Sequence, residues 1–149
     1  MNKDIGKGIT KFVINKEITK SIEFSAVGIP VPKGSSRAFV INGRAIIAPA
    51  NAKTKPWQKI IAAAANIAMR GNEPMSGAVS VLLLFSMPIP PSTARKRKSG
   101  DAHVVKPDID KLTRTALDAL TGIVYADDSQ VVALSVSKQY GDVPGVYIS

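Results

Sequence analysis

Apolar positions along the chain follow two periods, one typical of strands and one typical of helices. Short runs rich in Val, Leu and Ile, bounded by Gly, Pro or polar residues, predict strands at residues 22–27, 78–85, 131–138 and 146–148. Two further apolar runs, residues 37–41 and 44–48, flank Asn42 and Gly43. An Asn-Gly pair between such runs is the strongest short-range signal for a tight β-hairpin.

Two other segments carry the helical period. After Pro56, which a first helical turn tolerates, apolar residues recur at helical spacing as far as Gly71: Trp57, Ile60, Ile61, Ala64 and Ala68. A second helix is predicted over residues 109–121, capped by Gly122, with an apolar stripe of Leu112, Ala116, Ala119, Leu120 and Ile123. The proline-rich segment 87–91 is expected to lie outside any sheet interior.

These elements predict an α/β (α+β) fold in a single domain over residues 21–149, with a mixed sheet and two main helices. A chain of 149 residues holds one core of useful size and leaves no room for a second. Residues 1–20 are rich in Lys and have no clear apolar period. We expect them to form a basic N-terminal arm that is mobile or loosely packed.

Composition excludes several classes of protein. Cysteine is absent, which excludes a disulfide scaffold, a thiolate metal site and a cysteine nucleophile. No apolar run is long enough to span a bilayer, and residues 1–20 lack the pattern of a signal peptide. We therefore expect a cytoplasmic protein with no membrane partner.

Charge points to a polyanionic partner. Twenty Lys and Arg residues against eleven Asp and Glu residues give a net charge of +9. Such an excess attracts nucleic acid over a Debye length, although a basic, merely solvated surface remains an alternative at this point. Four consecutive cations, Arg95, Lys96, Arg97 and Lys98, lie in a polar loop before the second helix.

The acidic residues are concentrated in one short stretch. Five of the eight aspartates lie between Asp108 and Asp128. Asp110, Arg114 and Asp118 share one face of the predicted helix, because they are four residues apart. Since the connection to the next strand is short, we expect the turn at Asp127 and Asp128 to meet the start of that helix.

An all-carboxylate ligand set, without His or Cys, favours Mg²⁺ or Mn²⁺ over Zn²⁺, and no organic cofactor is implied. Such an ion serves phosphodiester hydrolysis, and Arg114 is placed to stabilise developing charge. The residues alone leave a structural interpretation open. Asp108 would then be a helix cap, the charges of the second helix a surface ladder, and the Asp127–Asp128 pair a turn former.

Residues 106–120 (KPDIDKLTRTALDAL), followed by residues 122–131 (GIVYADDSQV), closely resemble the signature of the RusA family of small Holliday junction resolvases. These enzymes are often carried by phages and prophages. The flanking segments GIPVPKG at 28–34 and PGVYI at 144–148 are also similar in order, and the resemblance covers residues 22–148.

The resemblance implies a Mg²⁺-dependent homodimeric endonuclease that cuts a four-way DNA junction symmetrically. The family's metal-binding aspartates fall on Asp108, Asp110 and Asp128, with Asp127 beside them. Two matched cuts in a twofold-like junction suit a twofold dimer.

The chain departs from the family pattern at two positions. The family usually has Asn where this chain has Lys111, and a catalytic Lys where this chain has Arg114. Arginine keeps the charge but cannot transfer a proton. Two interpretations stay open: Lys111 partly replaces the missing Lys, or its ammonium weakens metal binding. We expect Asp118 to orient Arg114.

Other cations are candidates for contact with DNA. The loop 95–98, with Lys106 nearby, is expected to hold phosphates, and Lys33 and Arg37 flank a glycine-serine turn that offers the same chemistry. His103, the only histidine, is expected to face solvent. Trp57 and Phe85 are expected in the core.

Three hypotheses follow for the function. The first is a junction-resolving endonuclease. The second is a catalytically weak or inactive junction-binding protein, and the third is a general basic nucleic-acid-binding domain whose acids are structural.

Overall fold

The structure, a computed structural model, describes residues 20–34, 36–49 and 51–149. The predicted arm therefore lies almost entirely outside the described residues. The described elements, in chain order, are β1 (Phe24–Val27), β2 (Ser36–Ile41), β3 (Arg44–Pro49), α1 (Thr54–Met69), β4 (Val79–Pro88), α2 (Ile109–Leu120), β5 (Val131–Gly141) and β6 (Gly145–Ile148). Short 3₁₀ turns lie at Pro91–Thr93 and Asp128–Gln130.

Four strands form the main sheet in the order β1-β6-β4-β5. The β4–β5 pair is parallel, and the β1–β6 and β4–β6 pairs are antiparallel. Strands β2 and β3 form a separate two-stranded sheet. The predicted fold class, an α+β domain with a mixed sheet and two helices, is confirmed.

One face of the main sheet packs against both helices. Alternate residues of β4 point into the core and are buried, namely Val81, Leu83, Phe85 and Met87. Each helix buries one stripe at helical spacing against them, led by Trp57 and Ile61 on α1 and by Leu112, Ala116 and Leu120 on α2. The expectation that Trp57 and Phe85 are core residues is confirmed.

The connection from β4 through α2 to β5 decides where the functional residues lie. Because β4 and β5 are parallel, the helix between them must run back along the sheet in the opposite direction. The first turn of α2 therefore lies at the edge where β4 and β5 end, which we call the helix-start edge. The last turn of α2 lies at the edge where those strands begin, which we call the helix-end edge.

Two local features clarify the sequence pattern. The hairpin turn is as predicted, with positive φ angles of 50° at Asn42 and 75° at Gly43, as a type I′ turn requires. Strand β4 continues to Pro88, beyond the predicted end at residue 85. Proline is accepted there because the antiparallel partner β6 pairs only as far as Ser86, so one side of Pro88 needs no donor.

Neither helix in the described part of the chain is long and apolar enough to cross a membrane.

Candidate metal centre and nucleic-acid interface

The first turn of α2 presents two carboxylates to solvent. Asp108 is the N-cap residue, in an extended conformation, and Asp110 lies in the first turn. The carboxylate of Asp108 caps no backbone N–H of the helix. Instead, its Oδ2 accepts a hydrogen bond of 2.8 Å from Nζ of Lys111. Asp108 is therefore not a simple helix cap, because its carboxylate binds a side chain and no backbone N–H of the helix.

The contact between Asp108 and Lys111 shifts the pKa of both groups. The hydrogen bond from Lys111 and the charge of that ammonium lower the pKa of Asp108, and Lys106 and Lys138 add to the effect. The same contact raises the pKa of Lys111, and the charge of Asp110 contributes. Both partners are 47% exposed, so solvent screens the pair and either side chain can exchange partners.

Lys138 ties the segment before α2 to strand β5. Its Nζ donates to the carbonyl oxygens of Val105, at 2.7 Å, and of Pro107, at 2.6 Å. The motif analysis did not single out Lys138. A signal was present, because strand alternation places this lysine on the same face as Val136 and the buried Tyr140.

Asp127 and Asp128 occupy a different setting. The Oδ1 of Asp127 accepts from the backbone N–H of Ser129 at 2.8 Å, and the Oε1 of Gln130 accepts from the N–H of Asp127 at 3.1 Å. This capping box fixes the 3₁₀ turn, and the bond from Ser129 lowers the pKa of Asp127. Asp128 is exposed at the start of that turn, and its charge acts on the buried Tyr125.

Tyr125 fixes the same turn to the end of α2. Its hydroxyl donates to the carbonyl oxygen of Leu117 at 3.1 Å, and burial, followed by the charge of Asp128, raises the pKa of its phenol. Asp128 thus belongs to the helix-end edge.

The two acidic groups lie at opposite edges of the sheet. Strand β5 rises about 23 Å between Val131, which follows the Asp127–Asp128 turn, and Lys138, which contacts the segment before Asp108. The expectation that these carboxylates meet is wrong for a single chain, because the short connection leads from the end of α2 and not from its start. Among the described residues, no three acidic or histidine side chains lie close enough to hold a metal ion.

Asp118 and Lys33 form an ion pair away from the first turn of α2. The Nζ of Lys33 lies 2.6 Å from Oδ2 of Asp118, and the same oxygen accepts from Gln58 at 3.4 Å. The expectation that Asp118 orients Arg114 is therefore wrong, since its described partners are Lys33 and Gln58. The backbone N–H of Lys33 also donates to the carbonyl oxygen of Lys111 at 3.0 Å, which fastens the loop 28–34 to α2.

The basic segment 95–98 lies at the helix-start edge. The backbone N–H groups of Lys96 and Arg97 both donate to the carbonyl oxygen of Thr93, and the N–H of Lys98 donates to Asp101 at 2.8 Å. The segment is anchored to the end of β5, where the N–H of Gly100 and the carbonyl oxygen of Asp101 bond to the backbone of residue 140. Arg95, Lys96 and Lys98 are exposed, as are Lys106 and Arg114.

The single histidine is buried in the structure. His103 is only 7% exposed, so the expectation of a solvent-facing histidine is wrong. The centre of its ring lies 4.7 Å from that of Tyr140, with the two rings tilted by 55°, and the guanidinium of Arg97 lies 5.5 Å from the centre of the Tyr140 ring. Burial, and then the charge of Lys138, lower the pKa of His103. Arg37 lies on β2, and its side chain falls outside the described part.

The donor set at the start of α2 fits a hard divalent cation. Asp108 and Asp110 offer exposed carboxylate oxygens in one helical turn, and exposed Arg and Lys side chains surround them on the same edge. Mg²⁺ is commonly bound through one or two carboxylates plus substrate phosphates, with water completing its shell. The edge therefore combines oxygen ligands for a cation with positive charge for a phosphate backbone.

Two comparisons with known proteins show what the chain is similar to. A family model described as endodeoxyribonuclease RusA matches residues 28–149, which include both helices and the whole acidic stretch. The chain is also 32% identical, over 134 residues, to the uncharacterized protein YqaN of Bacillus subtilis (strain 168), covering 85% of this chain and 93% of that protein. The chain therefore belongs to the RusA endodeoxyribonuclease family.

Proposed function

We propose that the protein is a Mg²⁺-dependent, structure-selective endonuclease that resolves four-way DNA junctions by paired symmetric cleavage in recombination and repair. The observation that carries the proposal is the exposed Asp108–Asp110 pair within a basic edge, in a chain of an endodeoxyribonuclease family. Such an edge attracts the phosphate backbone and still offers oxygen ligands to a cation.

The residues at the start of α2 have separate roles in this proposal. Asp108 and Asp110 would hold Mg²⁺, or Mn²⁺, which when bound polarises the phosphoryl oxygens and lowers the pKa of the attacking water. Lys111 keeps its proton in the free protein because Asp108 raises its pKa. Arg114, one turn along the exposed side of α2, stabilises charge that develops on the phosphate and cannot act as a base.

In this proposal, a second subunit supplies the remaining predicted ligand, Asp128. One chain holds Asp128 at the helix-end edge, about a strand length from Asp108. A twofold homodimer that sets the helix-end edge of one subunit against the helix-start edge of the other would bring the carboxylates together twice. Asp127 would then support the turn that presents Asp128, since its own carboxylate is engaged in the capping box.

Contacts with DNA divide according to what each cation already binds. Arg95, Lys96, Lys98 and Lys106 are exposed at the helix-start edge and would contact phosphates. Arg97 packs over Tyr140, so it contributes mainly to the shape of the loop. Asp118 competes with a phosphate for the ammonium of Lys33, and Arg37 remains a candidate on the hairpin.

The test uses a labelled four-way junction and the matched duplex, with Mg²⁺ or EDTA, and the variants Asp108→Asn and Asp128→Asn. We expect paired, metal-dependent nicks in the junction alone, lost in both variants while junction binding persists. Equal binding of duplex and junction without cleavage would instead support a general basic nucleic-acid-binding domain.

A mixed dimer tests the shared site directly. The two inactive variants are co-expressed with different tags and purified through both tags. If the carboxylates come from different subunits, the mixed dimer regains one intact site and nicks a single strand. If each subunit holds a complete site, the mixed dimer stays inactive while a doubly tagged wild-type dimer cleaves.

A second candidate function is an inactive or weakly active junction-binding protein. The ion pair between Lys111 and Asp108 favours it, because a cation must compete with an ammonium at 2.8 Å. Junction-selective binding without cleavage in Mg²⁺ or Mn²⁺, together with cleavage gained by Lys111→Asn plus Arg114→Lys, would establish this candidate. Equal cleavage by the wild-type protein and that double variant would show that the substitutions are neutral.

A further inference from the structure

We propose that Lys138 is a positioning residue that holds the segment leading to Asp108 in the conformation needed for cation binding. The inference rests on the proposed function only for the identity of the cation. The contact itself is a property of the free protein: one ammonium on β5 binds two carbonyl oxygens of the chain that enters α2.

The segment from His103 to Pro107 is bonded to both the backbone and the side chain of Lys138. The backbone N–H of His103 donates to the carbonyl oxygen of Lys138 at 3.3 Å. The side chain of Lys138 then reaches forward to Val105 at 2.7 Å and Pro107 at 2.6 Å. Three bonds from a single residue therefore span five residues of loop and end directly before Asp108.

The chemistry of these bonds makes them effective. Hydrogen bonds from an ammonium are about twice as strong as those between neutral groups, and the bond to Pro107 is partly buried, where water competes less. Loop residues lacking such anchors sample many backbone conformations. Removal of the ammonium should therefore release the N-cap residue Asp108 and the first turn of α2 together.

Lys138 differs from the cations assigned to DNA. It is half-buried, whereas Arg95, Lys96 and Lys106 are exposed, and its described bonds go to carbonyl oxygens of its own chain. Those oxygens engage two of the three N–H donors of its ammonium, and the side chain is half-buried, so little of the group is left for a phosphate. The effect of Lys138 should consequently appear in the ordering of the loop and in metal affinity, not in the affinity for DNA.

The experiment compares Lys138→Met, Lys138→Arg and the matched control Lys59→Met, an exposed lysine of α1. Methionine keeps the apolar stem without its donors, and arginine keeps the charge and several donors. The first measurement is amide hydrogen exchange of peptides covering residues 104–113, in the metal-free protein. The others are Mg²⁺ binding by calorimetry, junction affinity in EDTA at several salt concentrations, and cleavage against Mg²⁺ concentration.

We expect faster exchange over residues 104–113 in Lys138→Met, and a rise of roughly tenfold in the Mg²⁺ concentration for half-saturation. Lys138→Arg should keep most of the wild-type protection from exchange and most of the wild-type Mg²⁺ affinity. Lys59→Met should match the wild-type protein in both measurements. Junction affinity in EDTA, its salt dependence and the cleavage rate at saturating Mg²⁺ should stay nearly constant.

Unchanged exchange in Lys138→Met would overturn the inference, as would weaker junction binding with a reduced salt slope, which would identify a phosphate contact. If Lys138→Met does not fold, Lys138→Arg provides the test. Exchange over residues 104–113 that stays far above the wild-type rate in a folded Lys138→Arg would also overturn the inference. If the wild-type protein cleaves no junction, the proposed function fails, while the exchange data still decide the role of Lys138.

Discussion

Aspartates lie at both edges of the sheet that α2 connects, but their carboxylates have different hydrogen-bond partners at the two edges. At the helix-end edge, Asp127 is bonded to the backbone of its own turn, and the hydroxyl of Tyr125 is buried against α2. At the helix-start edge, the carboxylate of Asp108 accepts no bond from the backbone of α2, and among the described residues it pairs with the exposed Lys111. A carboxylate whose oxygens already accept backbone bonds stabilises local structure, whereas one held in place through its neighbours remains available to a ligand.

The sharpest test of this comparison replaces each of the two neighbouring aspartates, Asp127 and Asp128, with serine. Serine is a good capping residue, so Asp127→Ser should keep the 3₁₀ turn and junction cleavage. Asp128→Ser should lower cleavage by roughly a thousandfold, because a metal ligand is lost while no cap is removed. Junction cleavage rates and melting temperatures of the two variants provide the measurement.

The opposite pattern would change the assignment of ligands. If Asp127→Ser abolishes cleavage at an unchanged melting temperature, Asp127 itself holds the cation and the capping box is secondary. Asp142→Ser, at an exposed position between β5 and β6, serves as the matched control for removal of one carboxylate.

A smaller effect is expected at the helix-end edge, where Tyr125 is fully buried. Tyr125→Phe removes the hydroxyl that donates to Leu117 and keeps the ring in the core. The loss of one partly buried hydrogen bond should lower the free energy of unfolding by about 1 kcal/mol. Urea denaturation measures this change.

In an Asp128→Asn background, which removes the carboxylate that a partner would supply, Tyr125→Phe should leave Mg²⁺ binding at the start of α2 unchanged, and a loss there would contradict the separation of the two edges within one chain. Tyr147→Phe is a suitable comparison. That phenol lies on β6, and a hydrogen bond with Glu23 raises its pKa, so its removal disturbs neither edge of α2.

Local patterns predicted the parts of this structure that local physics determines. The alternation of β4, the apolar stripe of α2 and the hairpin at Asn42 follow from side-chain period and turn chemistry. The relation between Asp108 and Asp128 does not, because twenty residues of separation allow either closeness or opposite edges. The direction of α2 between two parallel strands decides between them, and that pairing was not visible in the sequence.

The burial of His103 was equally inaccessible to the sequence. A lone histidine in a loop is usually exposed, but the backbone bond from residue 103 to residue 138 sets its ring against Tyr140. The partner lies 37 positions away on another element, so no local pattern marks the contact. Long-range pairing of the loop with β5 thus accounts for both this wrong expectation and the missed role of Lys138.

His103 provides the smallest of the expected effects, and it concerns the helix-start edge alone. Burial, followed by the charge of Lys138, lowers the pKa of this histidine in the folded protein below its usual value of about 6.5. The unfolded chain therefore binds the proton more readily. Stability should be fully present above about pH 6.5 and should decline as the pH falls from there towards the pKa of the folded state.

His103→Phe tests this dependence, because phenylalanine keeps a ring against Tyr140 and cannot titrate. Its melting temperature at pH 7.5 should equal or exceed that of the wild-type protein, since the Nδ1 of His103 is buried and has no hydrogen-bond partner among the described residues. Between pH 7.5 and pH 5, the wild-type protein should lose more stability than the variant. As His103 is the only histidine and the carboxylates titrate mainly at lower pH, parallel profiles for the two proteins would show that burial does not lower the pKa of this ring.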